Sequence, residues 1–106
     1  MNELDFICIN IIQAKVTEDE LLCQMAEEAA ELAQAALKLR RAITGKNPTP
    51  VSVEDARAAL LEEIADVELC EWALRISSDH QAIINKIVGT KLRRWVDRLE
   101  GAKNDN

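Results

Sequence analysis

The chain has 106 residues and carries 19 Asp and Glu against 13 Lys and Arg, a formal net charge of -6. That length suits one domain, or one part of an oligomer, and the charge argues against a protein that works by broad neutralisation of nucleic-acid phosphate. A hydrophobic content of 48%, with 3 Gly, 2 Pro and no Tyr, excludes a disordered chain and describes a helix-former composition. The charge is uneven: residues 1–71 hold 15 acids and 6 bases, residues 72–106 hold 4 acids and 7 bases. No apolar run reaches 18 residues, so no membrane span is expected. The start Met-Asn-Glu-Leu-Asp has no basic region, so the reading is cytoplasmic, without a signal peptide. Cys8, Cys23 and Cys70 lack C-x-x-C spacing and sit among apolar neighbours; they read as buried free thiols in a reducing compartment.

Four helices are predicted, giving an all-α fold and a single domain over residues 1–106. The first, over 3–13, contains Phe6-Ile7-Cys8-Ile9-Asn10-Ile11-Ile12. It is apolar nearly all round and should be buried on more than one side, although its β-branched content leaves a strand as the alternative. The second opens at Thr17 with the capping-box pattern Thr17-Glu18-Asp19-Glu20 and should run to about Ile43, stopping at Gly45. Residues 44–51, with one Gly and two Pro, read as a loop. Ser52 opens the third helix, which is expected to reach Ile76. Residues 77–81 read as a turn, and the fourth helix spans about 80–99, loosened at Gly89. Residues 101–106 are polar and read as a frayed tail.

The chemistry concentrates in the second and third helices. Glu27-Glu28-Ala29-Ala30-Glu31 and Glu62-Glu63-Ile64-Ala65-Asp66 each place two acids three residues apart, on one helix face. The helical neighbours of Glu28 and Glu31 are Met25, Leu32 and Ala35; those of Glu63 and Asp66 are Ala59, Leu60, Val67 and Cys70. Both pairs therefore border apolar stripes, where four carboxylates repel and lose hydration unless a cation neutralises them. Hard divalent cations prefer such oxygen donors. The competing explanation is surface charge, common at this spacing in acidic helical proteins. A di-iron bundle needs Glu-x-x-His, and the lone histidine, His80, has Ser77 three positions before it. A histidine-based triad and a Gly-rich phosphate loop also lack support.

Together the two acidic segments resemble the signature of the MazG-like nucleoside triphosphate pyrophosphohydrolases, E-E-x-x-E followed one interhelical loop later by E-x-x-D. The likeness covers about residues 17–98. Residues 32–62 separate the halves, a slightly longer interval than is usual in the family, and the Pro-containing loop would hold the surplus. The resemblance implies a four-helix bundle completed by oligomerisation, as a homodimer or homotetramer. It implies hydrolysis of an NTP or dNTP to the monophosphate and pyrophosphate. Mg²⁺, with Mn²⁺ as a substitute, would be held by Glu28, Glu31, Glu63 and Asp66, and Glu27 would support them or help position water. The catalytic set is thus Glu27, Glu28, Glu31, Glu63 and Asp66.

A triphosphate also needs cationic side chains. The fourth helix supplies Lys86, Lys91, Arg93, Arg94 and Arg98, of which Lys86 and Arg93 or Arg94 are the candidates for phosphate contact; the alternative is a solvated basic face. Trp72 is the candidate for lining the base pocket, against a reading of Trp72 and Trp95 as core or interface anchors. Asn10, Gln13 and Asn85 are candidates for reading a base edge. Two further functions stay open: a superfamily relative acting on dUTP or phosphoribosyl-ATP, and a catalytically silent homo-oligomeric interaction module.

Overall fold

The computed structural model describes residues 1–45 and 50–104, and the side chains of residues 1–45 and 50–101. Its described residues form four α-helices and no strand: α1 (Glu3–Lys15), α2 (Glu18–Thr44), α3 (Val53–Ala73) and α4 (Ile76–Asn104). Of the expected loop at 44–51, residues 46–49 lie outside the described residues, as do 105–106 of the expected tail. None of the described helices is long and apolar enough to cross a membrane. The chain divides into two compact units, Met1–Arg75 and Ile76–Asn106.

Local chemistry sets most helix ends. Thr17 Oγ1 accepts from Glu20 N at 3.2 Å, and Ser52 Oγ accepts from Asp55 N at 3.0 Å, each satisfying an orphan amide of the first turn. Gly45 closes α2 in the left-handed conformation at φ 67, its N–H donating to Arg41 O, as a glycine C-cap does. At α1 a cap escaped the sequence reading: Asn2 Oδ1 accepts from Asp5 N while Asp5 accepts from Asn2 N, a capping box built from Asn and Asp.

In the first unit, α2 and α3 pack along one another as a helical hairpin, and α1 packs on α3. Among the side chains of α2 that lose solvent are Leu21, Met25, Glu28, Leu32, Ala35 and Leu39, and among those of α3 are Ala56, Leu60, Glu63, Val67 and Cys70. Both sets step by alternating fours and threes, the spacing of a knobs-into-holes seam. The fully buried set among the described residues is small: Ile9, Leu21, Leu39, Ala56, Cys70 and Ala73.

Two expectations are corrected. Only Ile9 of α1 is buried, and Leu4, Phe6, Ile7 and Ile11 are exposed. With α3 as its packing partner within the unit, α1 buries one side. Cys8 and Cys23 are accordingly exposed free thiols, and only Cys70 is buried; apolar neighbours in sequence did not become neighbours in space.

The third correction is the end of α3. The helix stops at Ala73, and the chain turns at Leu74 and Arg75, with Arg75 at φ 63, a conformation side chains rarely adopt. Gln13 of α1 spans the turn: its Nε2 donates to Ala73 O at 3.0 Å, and its Oε1 accepts from Arg75 Nη2 at 3.3 Å. Gln13 is therefore a structural clamp. Gln13→Ala removes both bonds and is expected to cost about 1–2 kcal/mol, measured as a lowered urea midpoint at unchanged m-value.

In the second unit α4 begins at Ile76, so Ser77, Ser78 and Asp79 lie in its first turns and not in a separate turn. It passes through Gly89 without a break and continues beyond the expected end near Leu99.

Candidate metal centre

The α2–α3 seam is interrupted at its middle by two acids. Glu28 follows Met25 by three residues and precedes Leu32 by four; Glu63 follows Leu60 by three and precedes Val67 by four. Each stands where the seam calls for an apolar side chain. One turn further along each helix, Glu31 and Asp66 project beside them. One carboxylate oxygen from each of Glu28, Glu31, Glu63 and Asp66 lies within 4.8 Å of the other three.

Glu28 and Glu63 are half-buried, and Glu31 is exposed. Gln24 Nε2 donates to Glu28 Oε1 at 2.7 Å from one turn earlier, which fixes that carboxylate and leaves its other oxygen directed elsewhere. Glu28 Oε2 and Glu63 Oε2 are buried atoms with no hydrogen-bond partner. Two facing acids on a largely apolar seam, each with a desolvated oxygen left unmatched, are costly as they stand. A divalent cation supplies what both oxygens lack, so the donor set fits a hard metal ion. These four residues could hold such an ion.

Cys70 lies one turn beyond Asp66 on the buried side of α3. Its thiol is pushed above the usual range by burial, and further by the negative charges of Glu28, Asp66 and Glu71. It is held as the neutral thiol, a poor nucleophile. In the native protein, a disulfide dye such as DTNB is expected to titrate Cys23 promptly and Cys70 only after denaturant is added.

The remaining candidates fall elsewhere. Glu27 is exposed on α2 and outside the four-carboxylate group; its Oε1 lies 4.0 Å from Cys23 Sγ. Trp72 is half-buried on α3. Asn85, Lys86, Arg93 and Arg94 are exposed on α4, in the second unit. Asn85 Oδ1 accepts from Gln81 Nε2 at 2.8 Å. Lys86, Lys91 and Arg94 surround a shallow recess with Ile87 and Thr90. Arg93 is not among the residues lining that recess; its Nη1 lies 3.4 Å from the point where a Cβ on Gly89 would stand. Sequence spacing thus brought the four carboxylates together correctly, whereas the role of Gln13 needed the tertiary contact to α3.

Compared with known proteins, the chain matches no family model, no curated protein and no solved structure.

Proposed function

We propose that this chain is a Mg²⁺-dependent, MazG-like nucleotide pyrophosphohydrolase that converts an NTP or dNTP to the monophosphate and pyrophosphate. The observation that carries this reading is the four-carboxylate group on the α2–α3 seam, with one desolvated, unpartnered oxygen on each of Glu28 and Glu63. Few structural needs explain two facing acids at seam positions, whereas a cation-dependent reaction needs them.

Glu28, Glu31, Glu63 and Asp66 would hold the ion, which when bound neutralises triphosphate oxygens and favours attack of water on the α-phosphorus. The protein's own part is to fix the donors. Gln24 orients Glu28 through its 2.7 Å bond, and the helical hairpin holds the two pairs at a set separation. Glu27, exposed and one residue before Glu28, is assigned as the supporting acid that orders water beside the site. Lys86 and Arg94 are assigned to the phosphates on their charge and on their shared recess in α4. Trp72 remains the candidate for base stacking. The same reading makes the chain a single cytoplasmic domain whose helical bundle is completed by a partner subunit, serving nucleotide-pool housecleaning.

The test is a panel of NTPs and dNTPs, with dUTP and phosphoribosyl-ATP included, assayed for pyrophosphate with and without Mg²⁺. Release that requires Mg²⁺ supports the reading, and release that survives chelation defeats the metal mechanism. The exposed apolar faces of α1 and α4 favour one second reading, a silent assembly module, which the absence of release from every nucleotide would support. Within the enzymatic reading, Lys86→Ala is expected to raise KM several-fold while the Mg²⁺ concentration for half-maximal rate stays unchanged.

A further inference from the structure

Gln24 stands one turn before Glu28 on α2 and is exposed to solvent. Its Nε2 donates to Glu28 Oε1 at 2.7 Å, at the short end for an N–H···O bond, as expected where the acceptor is ionised. The other oxygen, Glu28 Oε2, is a buried atom with no hydrogen-bond partner. The carboxylate is therefore divided: Oε1 is tied to an exposed amide, and Oε2 is left inside. The other three carboxylates have no amide side chain at the matching position. One turn before Glu31, Glu63 and Asp66 stand Glu27, Ala59 and Glu62, and neither an ionised carboxylate nor a methyl group donates a hydrogen bond.

A carboxylate can give a cation one oxygen or both. Mg²⁺ demands near-octahedral geometry at short distances and is served by single oxygens, whereas Ca²⁺ takes about 6–8 oxygens and readily takes both from one carboxylate. Turning Glu28 so that both its oxygens meet one ion breaks the bond to Gln24. That bond therefore acts selectively: it leaves the single buried oxygen in place and opposes the two-oxygen arrangement.

We infer that Gln24 sets the ion preference of the four-carboxylate site: by holding Glu28 to one oxygen, it favours Mg²⁺ over Ca²⁺. Gln24 is a positioning residue, acting on the ion through Glu28. The inference rests on the cation-binding part of the reading above and is independent of the catalytic part. Removing the outer partner of a ligating carboxylate commonly changes metal affinity or activity by about 10–100-fold. The competing explanation is an ordinary side-chain pair one turn apart on a helix surface. Such a pair adds a little helix stability and leaves ion preference alone, so the two explanations part on selectivity.

The test uses the full chain without nucleotide. Mn²⁺ is the probe, followed by the paramagnetic resonance signal of the free ion, and Mg²⁺ and Ca²⁺ compete for its site. Loss of Mn²⁺ binding in Glu63→Gln ties the signal to the four carboxylates. The wild type is expected to release Mn²⁺ at a lower concentration of Mg²⁺ than of Ca²⁺. Gln24→Met keeps the length and helix propensity of the side chain and removes the donor; its Mg²⁺-to-Ca²⁺ affinity ratio should fall at least about ten-fold. Gln24→Lys restores a donor at the same spacing; its added charge weakens both ions, and the ratio should return to within about two-fold of the wild type. A wild type that prefers Ca²⁺, an unchanged ratio in Gln24→Met, or a ratio in Gln24→Lys as low as in Gln24→Met overturns the inference and leaves the cation site standing. Mn²⁺ that fails to bind the wild type, or binds Glu63→Gln equally well, overturns the inference and the cation site together. Pyrophosphate release, measured separately, reports on the catalytic reading alone.

Discussion

Glu28→Gln and Glu63→Gln are each expected to stop pyrophosphate release and, unusually for inactivating changes, to raise the melting temperature of the metal-free protein. Both effects come from one arrangement. The two carboxylates face each other from neighbouring seam positions, and each has a buried oxygen without a partner. An amide of the same shape removes the like-charge repulsion and the cost of a desolvated anion. The gain should be about 1 kcal/mol, because both residues remain half-exposed and solvent screens part of the repulsion. In a domain of this size that is a rise of roughly 4–8 °C. The same exchange deletes an anionic donor to the cation, and loss of several kcal/mol of transition-state stabilisation lowers the rate by at least about 10³-fold. Glu62→Gln, one position earlier and exposed, is the control and should change neither quantity. Full activity in both seam variants would falsify the ligand assignment, and lower stability in both would remove the claim that the site is strained without metal.

The parts of the fold that could be read in advance are those governed by short-range chemistry. Thr17 and Ser52 announce their helices because a hydroxyl three residues before an amide needs no distant partner. Gly45 announces the end of α2 because a left-handed residue there is inexpensive only for glycine. The four carboxylates were legible for a related reason. Three-residue spacing puts each pair on one helix face, and the residues around them mark that face as the packed one. What spacing alone left open was whether the two faces meet; the hairpin answers that by bringing Glu28 and Glu63 into facing positions of one seam.

The misread parts depend on contacts between segments far apart in the chain. Ser77-Ser78-Asp79 has the composition of a helix start, yet the turn falls earlier, at Arg75, a residue with no turn preference. Gln13, 62 positions away, holds that turn by a bond to Arg75 and one to Ala73. The composition of α1 called for burial on several sides, but within its unit the helix packs on α3, so Leu4, Ile7, Cys8 and Ile11 are left outward. Composition says how much apolar surface a helix has to cover; it does not say whether the cover comes from the same chain.

Mg²⁺ is expected to reverse the order of stability between the wild type and Glu63→Gln. Without metal the variant melts higher, for the reasons above. An ion that binds only the folded hairpin stabilises it by mass action, about 2.7 kcal/mol at a hundred times its dissociation constant. That exceeds the ~1 kcal/mol that relief of repulsion contributes. The wild type should therefore gain on the order of 10 °C as Mg²⁺ is raised, overtaking the variant, whose melting temperature should barely move. Mn²⁺ should substitute, because the donors are all carboxylate oxygens. Sodium chloride at matched ionic strength distinguishes binding from screening: it weakens repulsion among exposed charges generally and should move wild type and variant alike by a few degrees at most. Two melting curves that shift in parallel with Mg²⁺, or a sodium effect as large as the magnesium effect, would mean that the four carboxylates do not form a specific cation site.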